Sequence, residues 1–250
     1  MKERTSWHSP RLRREVTVVR WGTFGMPVLI FPTAGGDAEE IERFHVISTL
    51  EEPIAEGRIK VYSVDSVAGR ALVKGEGTAA HRMWLLNEFQ HFVRWELVPA
   101  IRTDCESPDI GIGVAGASIG AFQALACLCR FPDVFTTGLC MSGTYDVLRF
   151  LKGGAPTEDF WFASPLHWLP GFDNEEHLEQ LRTRFVLLAS GEGEAEDIGE
   201  SWRVADLLGS RGVPNRVDSW GPDWKHDWPL WRNMLHQYVP ELFAPPTPAP

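Results

Sequence analysis

Cysteine is scarce: Cys105, Cys127, Cys129 and Cys140 are the only four, and none belongs to a CxxC pair. That excludes a CxxC redox motif, and buried free thiols in a reducing compartment are expected. No uninterrupted apolar stretch approaches the ~20 residues of a membrane span. The opening residues, MKERTSWHSPRLRRE, have no apolar h-region, so no secretory signal is expected and the cytoplasm is the default location. Positive charge is also in deficit. Lys and Arg number 24 against 34 Asp and Glu, a formal charge of −10, which argues against a general nucleic-acid or anionic-membrane binder. Internal repeats are absent. The only low-complexity stretch is 244–250, APPTPAP, expected to form a flexible Pro-rich tail.

What remains is a chain of 250 residues with an apolar fraction of 44% and 11 Trp. One domain of this length buries roughly three quarters of its unfolded surface and needs no disulfide or metal for stability. A single domain over 1–243 is therefore expected. The arginines Arg4, Arg11, Arg13 and Arg14 read as a solvated basic face.

Strand-like and helix-like segments alternate. Residues 15–20 (EVTVVR) and 27–31 (PVLIF) look like consecutive strands, joined as an antiparallel hairpin through Gly22 and Gly25. Residues 41–54 are helix-like and end near Pro53, and 58–64 (RIKVYSV) form a further strand. Residues 81–102 carry apolar side chains at helical spacing, with Pro99 placed to kink the end. Strands follow at 109–115 (DIGIGVA), 135–141 (FTTGLCM), 184–189 (RFVLLA) and 215–220 (NRVDSW). Between them, 119–130 is apolar nearly all round, as a buried helix would be, and 200–211 is amphipathic. The last helix, 228–243, is expected to be interrupted at Pro240. This alternation predicts an α/β fold with a mostly parallel twisted sheet and helices on both faces. An aromatic-rich insertion at about 144–180 is placed to roof a site.

The sharpest motif is Gly116-Ala117-Ser118-Ile119-Gly120. Its GxSxG pattern gains weight from context, because it joins a strand directly to a helix. That is the setting of a nucleophile elbow, in which a serine sits on a tight turn above the sheet. Gly116 and Gly120 remove Cβ atoms that would collide there. The Ile119 amide lies at the helix start, aimed at an oxyanion.

A serine needs a base. In the order Ser…acid…His, the histidine follows a late strand, and among eight histidines His226 does so. The acid is expected after 184–189, where Glu192, Glu194, Glu196 and Asp197 compete and position alone does not choose. A second oxyanion donor is expected from the loop after 27–31. Pro32 cannot donate, which leaves Thr33 or Ala34. No GK[ST] follows that loop, so it is not a phosphate loop.

These residues resemble the putative esterase family of α/β-hydrolases, which includes the esterase D and antigen 85 branches. The resemblance runs from about Leu12 to Leu242. It rests on VLIFPTAGG, on VAGASIGAF, on SGEGEAEDIGESWRVADLLGSRGVPNRVDSWG, and on the closing KHDWPLW. The closing motif has the H-D-W-P-x-W pattern with which uncharacterised bacterial members present their histidine. The resemblance implies an α/β-hydrolase fold with Ser118 as nucleophile, His226 as base and Glu196 as acid, with Asp197 in reserve. It also implies oxyanion amides at Ile119 and Ala34.

The expected function is a serine esterase working through an acyl-enzyme, with no metal and no organic cofactor. Its partner is a small-molecule ester substrate. Neither nucleic acid nor membrane is expected, and a homo-oligomer is compatible with the sequence. Trp161, Trp168 and His167 of the insertion are candidate substrate contacts. An acyltransferase or thioesterase would use the same triad, and a catalytically silent fold used as a binding module is the competing reading of another class.

Overall fold

The computed structural model describes residues 1–151 and 154–243, so the expected tail at 244–250 lies outside the described residues. One eight-stranded sheet organises the chain. Its strands are β1 (Lys2–Ser9), β2 (Arg14–Trp21), β3 (Met26–Phe31), β4 (Ile59–Val64), β5 (Ile112–Ala117), β6 (Phe135–Met141), β7 (Phe185–Ser190) and β8 (Asn215–Ser219). Their spatial order is β1-β2-β4-β3-β5-β6-β7-β8. The β1–β2 and β2–β4 pairs are antiparallel, and every pairing from β4 to β8 is parallel. The central strands β4 and β5 are buried along their whole length, and β5 accordingly reads as a continuous run of apolar and small residues.

Two cores result, one per face of the sheet. Along β3 the side chains alternate: Leu29 and Phe31 enter one core, Val28 and Ile30 the other. The first core lies under the helices Ala79–Phe92 and Ile119–Arg130 and the insertion. The second lies under the closing helix Trp228–Phe243 and the short helical turns after β3. All four cysteines are free thiols. Burial pushes the Cys140 thiol up to about 12, so it packs as a small apolar residue.

Several expectations need correction. β2 and β3 are not a hairpin, because β4 lies between them. The hairpin partner of β2 is β1, which carries no apolar alternation to reveal it. β1 is an edge strand with mostly exposed side chains, held by backbone pairing and by Trp7 Nε1 and Ser9 Oγ donating to Glu96 at 3.1 and 2.9 Å. Its charged residues suit an edge that must not pair further.

Residues 41–54 form three short helices, Glu40–Arg43, Val46–Thr49 and Glu51–Ala55, not one. His45 takes a left-handed conformation (φ 64°) that turns the chain so that Ile41, Val46 and Leu50 all reach the core. The long helix around Pro99 widens into a π-helical turn, Val93–Leu97, before Val98–Asp104. Val98 N–H bonds back to Val93, and Pro99, which has no N–H to give, sits harmlessly in the first turn of the next segment. β5 begins at Ile112, three residues later than predicted. Pro240 does not interrupt the closing helix, which runs unbroken from Trp228 to Phe243.

The insertion consists of short pieces, including Glu158–Ala163, Pro165–Trp168 and Glu175–Arg182. A buried polar network ties it down. Arg130 donates to Asn87 Oδ1 (2.7 Å), Gln90 Oε1 (3.1 Å) and His91 Nε2 (2.8 Å). Asn87 and Gln90 in turn donate to Asp159 and to the Ala163 carbonyl, both at 2.8 Å. Burial lowers the basicity of His91, in keeping with a neutral ring accepting from Arg130.

Candidate active site

Ser118 stands between β5 and the helix Ile119–Arg130 with φ 58° and ψ −121°, a region that side-chain-bearing residues rarely occupy. The surrounding glycines make this geometry attainable. A Cβ on Gly116 would lie 2.3 Å from the Gly120 backbone, and one on Gly120 would lie 2.6 Å from the carbonyl oxygens of Phe31 and Pro32. The elbow is therefore pressed against the end of β3, which brings the loop after β3 to the serine. Ser118 N–H donates to the Met141 carbonyl at 3.0 Å. The Ser118 carbonyl accepts from Thr144 N–H at 3.2 Å, so the end of β6 also borders the elbow.

In the loop after β3, the Thr33 amide is occupied: it donates to Glu40 Oε2 at 2.7 Å, and Thr33 Oγ1 donates to Oε1 at 2.9 Å. The Ala34 and Ile119 amides make no hydrogen bond with any protein group among the described residues. Glu40 is buried, and burial pushes its carboxyl up despite the two Thr33 donors. Gly36 leaves the space that this carboxylate fills, since a Cβ there would lie 2.4 Å from Glu40 Oε2. Glu40 had no part in the sequence reading.

The four competing acids separate cleanly by partner. Glu192 accepts from Ser219 Oγ, and Glu194 pairs with Lys225 at 2.6 Å in solvent. Asp197 caps the helix Ile198–Ser210 by accepting from Gly199 N–H at 3.0 Å. Glu196 alone is buried, its side chain 1% exposed, with Oε1 3.5 Å from His226 Nδ1. That contact is longer than a hydrogen bond, and no other protein group engages Nδ1. Ser142 Oγ donates to Glu196 Oε1 at 2.6 Å and Ser190 Oγ to Oε2 at 2.9 Å. Burial pushes the Glu196 carboxyl up, but contacts with His226, Ser142 and Ser190 outweigh it and hold the group below the ordinary carboxylate range.

The acid and histidine loops are locked together. Gly193 N–H donates to Trp224 O at 2.9 Å, Glu192 N–H to Gly221 O at 2.9 Å and His226 N–H to Glu194 O at 3.0 Å. Gly193 is needed for this approach, because a Cβ would lie 2.4 Å from Trp224 O. His226 is 22% exposed at its side chain and packs edge to face with Trp231, ring centroids 5.0 Å apart. Ser142, Ser190 and the role of Trp231 were missed in the sequence. Ser142 directly follows β6 and Ser190 ends β7, two neighbouring strands on one side of the elbow strand.

The insertion residues divide. Trp168 is 7% exposed and sits among Phe172 and His177, so its surroundings are those of a core residue. Trp161 is 49% exposed. His167 lies beside it and shares a 2.8 Å hydrogen bond with Ser164 Oγ. A surface cleft of about 560 Å³ lined by Gly22, His45 and Ile54 shares no residue with the elbow. Among the described residues no group of three or more His, Cys, Asp and Glu is arranged to hold a metal ion, and no helix is long and apolar enough to cross a membrane.

The largely parallel eight-stranded sheet flanked by helices is an α/β-hydrolase fold, and the family it carries is one of serine ester hydrolases. The chain belongs to the "Putative esterase" family, whose model matches residues 63–242. Its fold is similar to that of a ferulic acid esterase at 15% identity and a TM-score of 0.73, with 97% of this chain and 98% of that one covered. It is similar to MPT51 of Mycobacterium tuberculosis at 18% identity and a TM-score of 0.70, with 97% and 98% covered. It is also similar to an S-formylglutathione hydrolase from Agrobacterium tumefaciens at 12% identity and a TM-score of 0.66, with 96% and 93% covered. No curated protein matches it by sequence.

Proposed function

We propose that the protein hydrolyses carboxylic esters through an acyl-enzyme on Ser118, with His226 as base, Glu196 as acid, and the Ile119 and Ala34 amides as oxyanion donors. The observation that carries this reading is the burial of Glu196 against His226, while each of the three neighbouring acids is engaged elsewhere. The 3.5 Å separation is one that can tighten to a hydrogen bond when substrate binds.

In the proposed cycle, His226 takes the Ser118 hydroxyl proton as Oγ attacks the ester carbon. The carbonyl π pair moves to oxygen, and the two free amides receive the oxyanion. As the intermediate collapses, the bond to the alkoxy group breaks and His226 returns the proton to the leaving alcohol. Water, deprotonated by His226, then attacks the acyl carbon; as this second intermediate collapses the bond to Ser118 Oγ breaks, His226 returns the proton to Oγ, and the carboxylic acid is released. Glu196 stabilises the imidazolium at both stages. Loss of one oxyanion donor typically costs about 10²–10³ in rate. The exposed Trp161 and neighbouring His167 offer an aromatic surface for the acyl or alcohol group.

Intact-mass labelling with a fluorophosphonate, beside turnover of short-chain p-nitrophenyl esters, tests the reading. One adduct and measurable turnover, both lost in Ser118→Ala, are expected. Folded wild-type protein that neither labels nor turns over would overturn it.

A further inference from the structure

We propose that Trp231 and Ser142 form a positioning relay that holds Glu196 ionised and oriented toward His226. The proposal rests on the triad reading above. An indole N–H is a donor only. Trp231 Nε1 lies 2.9 Å from Ser142 Oγ, so the hydroxyl oxygen accepts on that side. The hydroxyl proton of Ser142 is then directed elsewhere, and Glu196 Oε1 lies 2.6 Å away. The direction of both bonds is thereby set, from indole to hydroxyl and from hydroxyl to carboxylate. An acid carrying its proton on Oε1 would oppose this arrangement, whereas an ionised carboxylate completes it.

The second donor on Glu196 is less committed. Ser190 Oγ reaches Oε2 at 2.9 Å and the Gly191 carbonyl at 3.0 Å, and its single proton serves both acceptors. Ser142 has no competing acceptor among the described residues. Its backbone is also fixed, with φ 45° and its N–H donating to Ala189 O at 2.7 Å. Oε1, the oxygen that Ser142 holds, is the one facing His226 Nδ1.

Trp231 touches the base as well as the acid's support. Its ring stands at 89° to the His226 ring, with centroids 5.0 Å apart. It lies in the first turn of the closing helix, so the register of that helix places both contacts. Behind it, Trp228 packs edge to face at 5.1 Å and stacks on Phe44 at 4.5 Å, which limits rotation of the Trp231 ring. A hydrogen bond to an ionised group contributes more than a neutral one. Release of the relay should therefore be felt in the chemical step.

The competing role for Trp231 is core packing alone, and a double-mutant cycle separates the two. Ester turnover, fluorophosphonate labelling rate and thermal stability are measured for wild type, Trp231→Phe, Ser142→Ala and the double variant. Trp231→Phe keeps an aromatic ring and removes the N–H. The relay predicts that it lowers kcat by about tenfold with KM changed by less than about twofold. Ser142→Ala loses at least as much, and the double variant is no worse than Ser142→Ala alone. Wild-type kcat in Trp231→Phe, or losses that multiply in the double variant, would overturn the relay.

A second readout does not depend on catalysis. The Trp231 indole N–H resonance, assigned by its absence in Trp231→Phe, should shift in Ser142→Ala and in Glu196→Gln. If Trp231→Phe does not fold, assignment can use Trp231-selective contacts to the His226 ring, and the two remaining variants still decide. An indole resonance indifferent to both variants refutes the relay. Wild-type protein that neither labels nor turns over refutes the triad reading instead, and the indole shifts still judge the hydrogen-bond chain.

Discussion

Removing the side chain of Ser118 altogether should make the fold more stable than replacing it by alanine. At φ 58° and ψ −121° any residue with a Cβ is strained, by about 1–3 kcal/mol. Ser118→Ala keeps the Cβ and the strain, whereas Ser118→Gly releases it. Glycine loses about 0.5–1 kcal/mol more backbone entropy on folding than alanine does. The balance favours Ser118→Gly over Ser118→Ala by about 1 kcal/mol, or roughly 2–4 °C in Tm for a chain of this size. Gly116→Ala is the internal control with the opposite sign. Its new Cβ would lie 2.3 Å from the Gly120 backbone, so it should destabilise. Urea titration of the three variants at equal concentration measures all of this. Both Ser118 variants lack the hydroxyl, so the comparison isolates the Cβ. An alanine variant as stable as the glycine variant would refute the argument from strain.

Glu40→Ala frees the Thr33 amide and leaves the Ala34 loop without its buried anchor; a loss of at least about tenfold in kcat/KM is expected, read by ester turnover, and an unchanged rate would show that the anchor does not serve the oxyanion site. Asp197→Ala removes a helix cap and should cost about 1 kcal/mol in denaturant titration while turnover persists, whereas Glu196→Ala should lose most activity. The Glu196 carboxyl is held below its ordinary value, so its stabilising contribution is complete above about pH 4.3 and is lost as pH falls below it. The stability advantage of wild type over Glu196→Gln, measured by denaturation from pH 7 to pH 3, should therefore shrink toward acid; an advantage that grows toward acid would contradict the assignment.

The central strands were legible because burial on both faces leaves an unbroken apolar run, and β6 falls at its expected bounds, 135–141. The elbow was legible because backbone approaches of this closeness admit glycine and little else. β1 was not, since KERTSWHS is held at the sheet edge by main-chain pairing, which leaves no apolar signature. Nor were the three turns over 40–55, where the left-handed His45 breaks a pattern that periodicity alone reads as one helix. Four acids after β7 look alike as letters. They differ only through partners distant in the chain: Ser219, Lys225, His226 and, for Asp197, the nearby helix start. Family resemblance pointed to Glu196, but Ser142 and Ser190, which hold it, become visible only once β6 and β7 lie side by side.

The site draws on the loops after β3, β5, β6, β7 and β8, and on a tryptophan in the final helix. During synthesis Ser118 leaves the ribosome before His226 does, and at about 5–20 residues per second the interval is about 5–20 s. Over that interval the nascent chain carries Ser118 without His226. Recovery of turnover after dilution from denaturant should likewise lag the recovery of helix content, because activity reports the docking of the last strand and helix and nothing earlier.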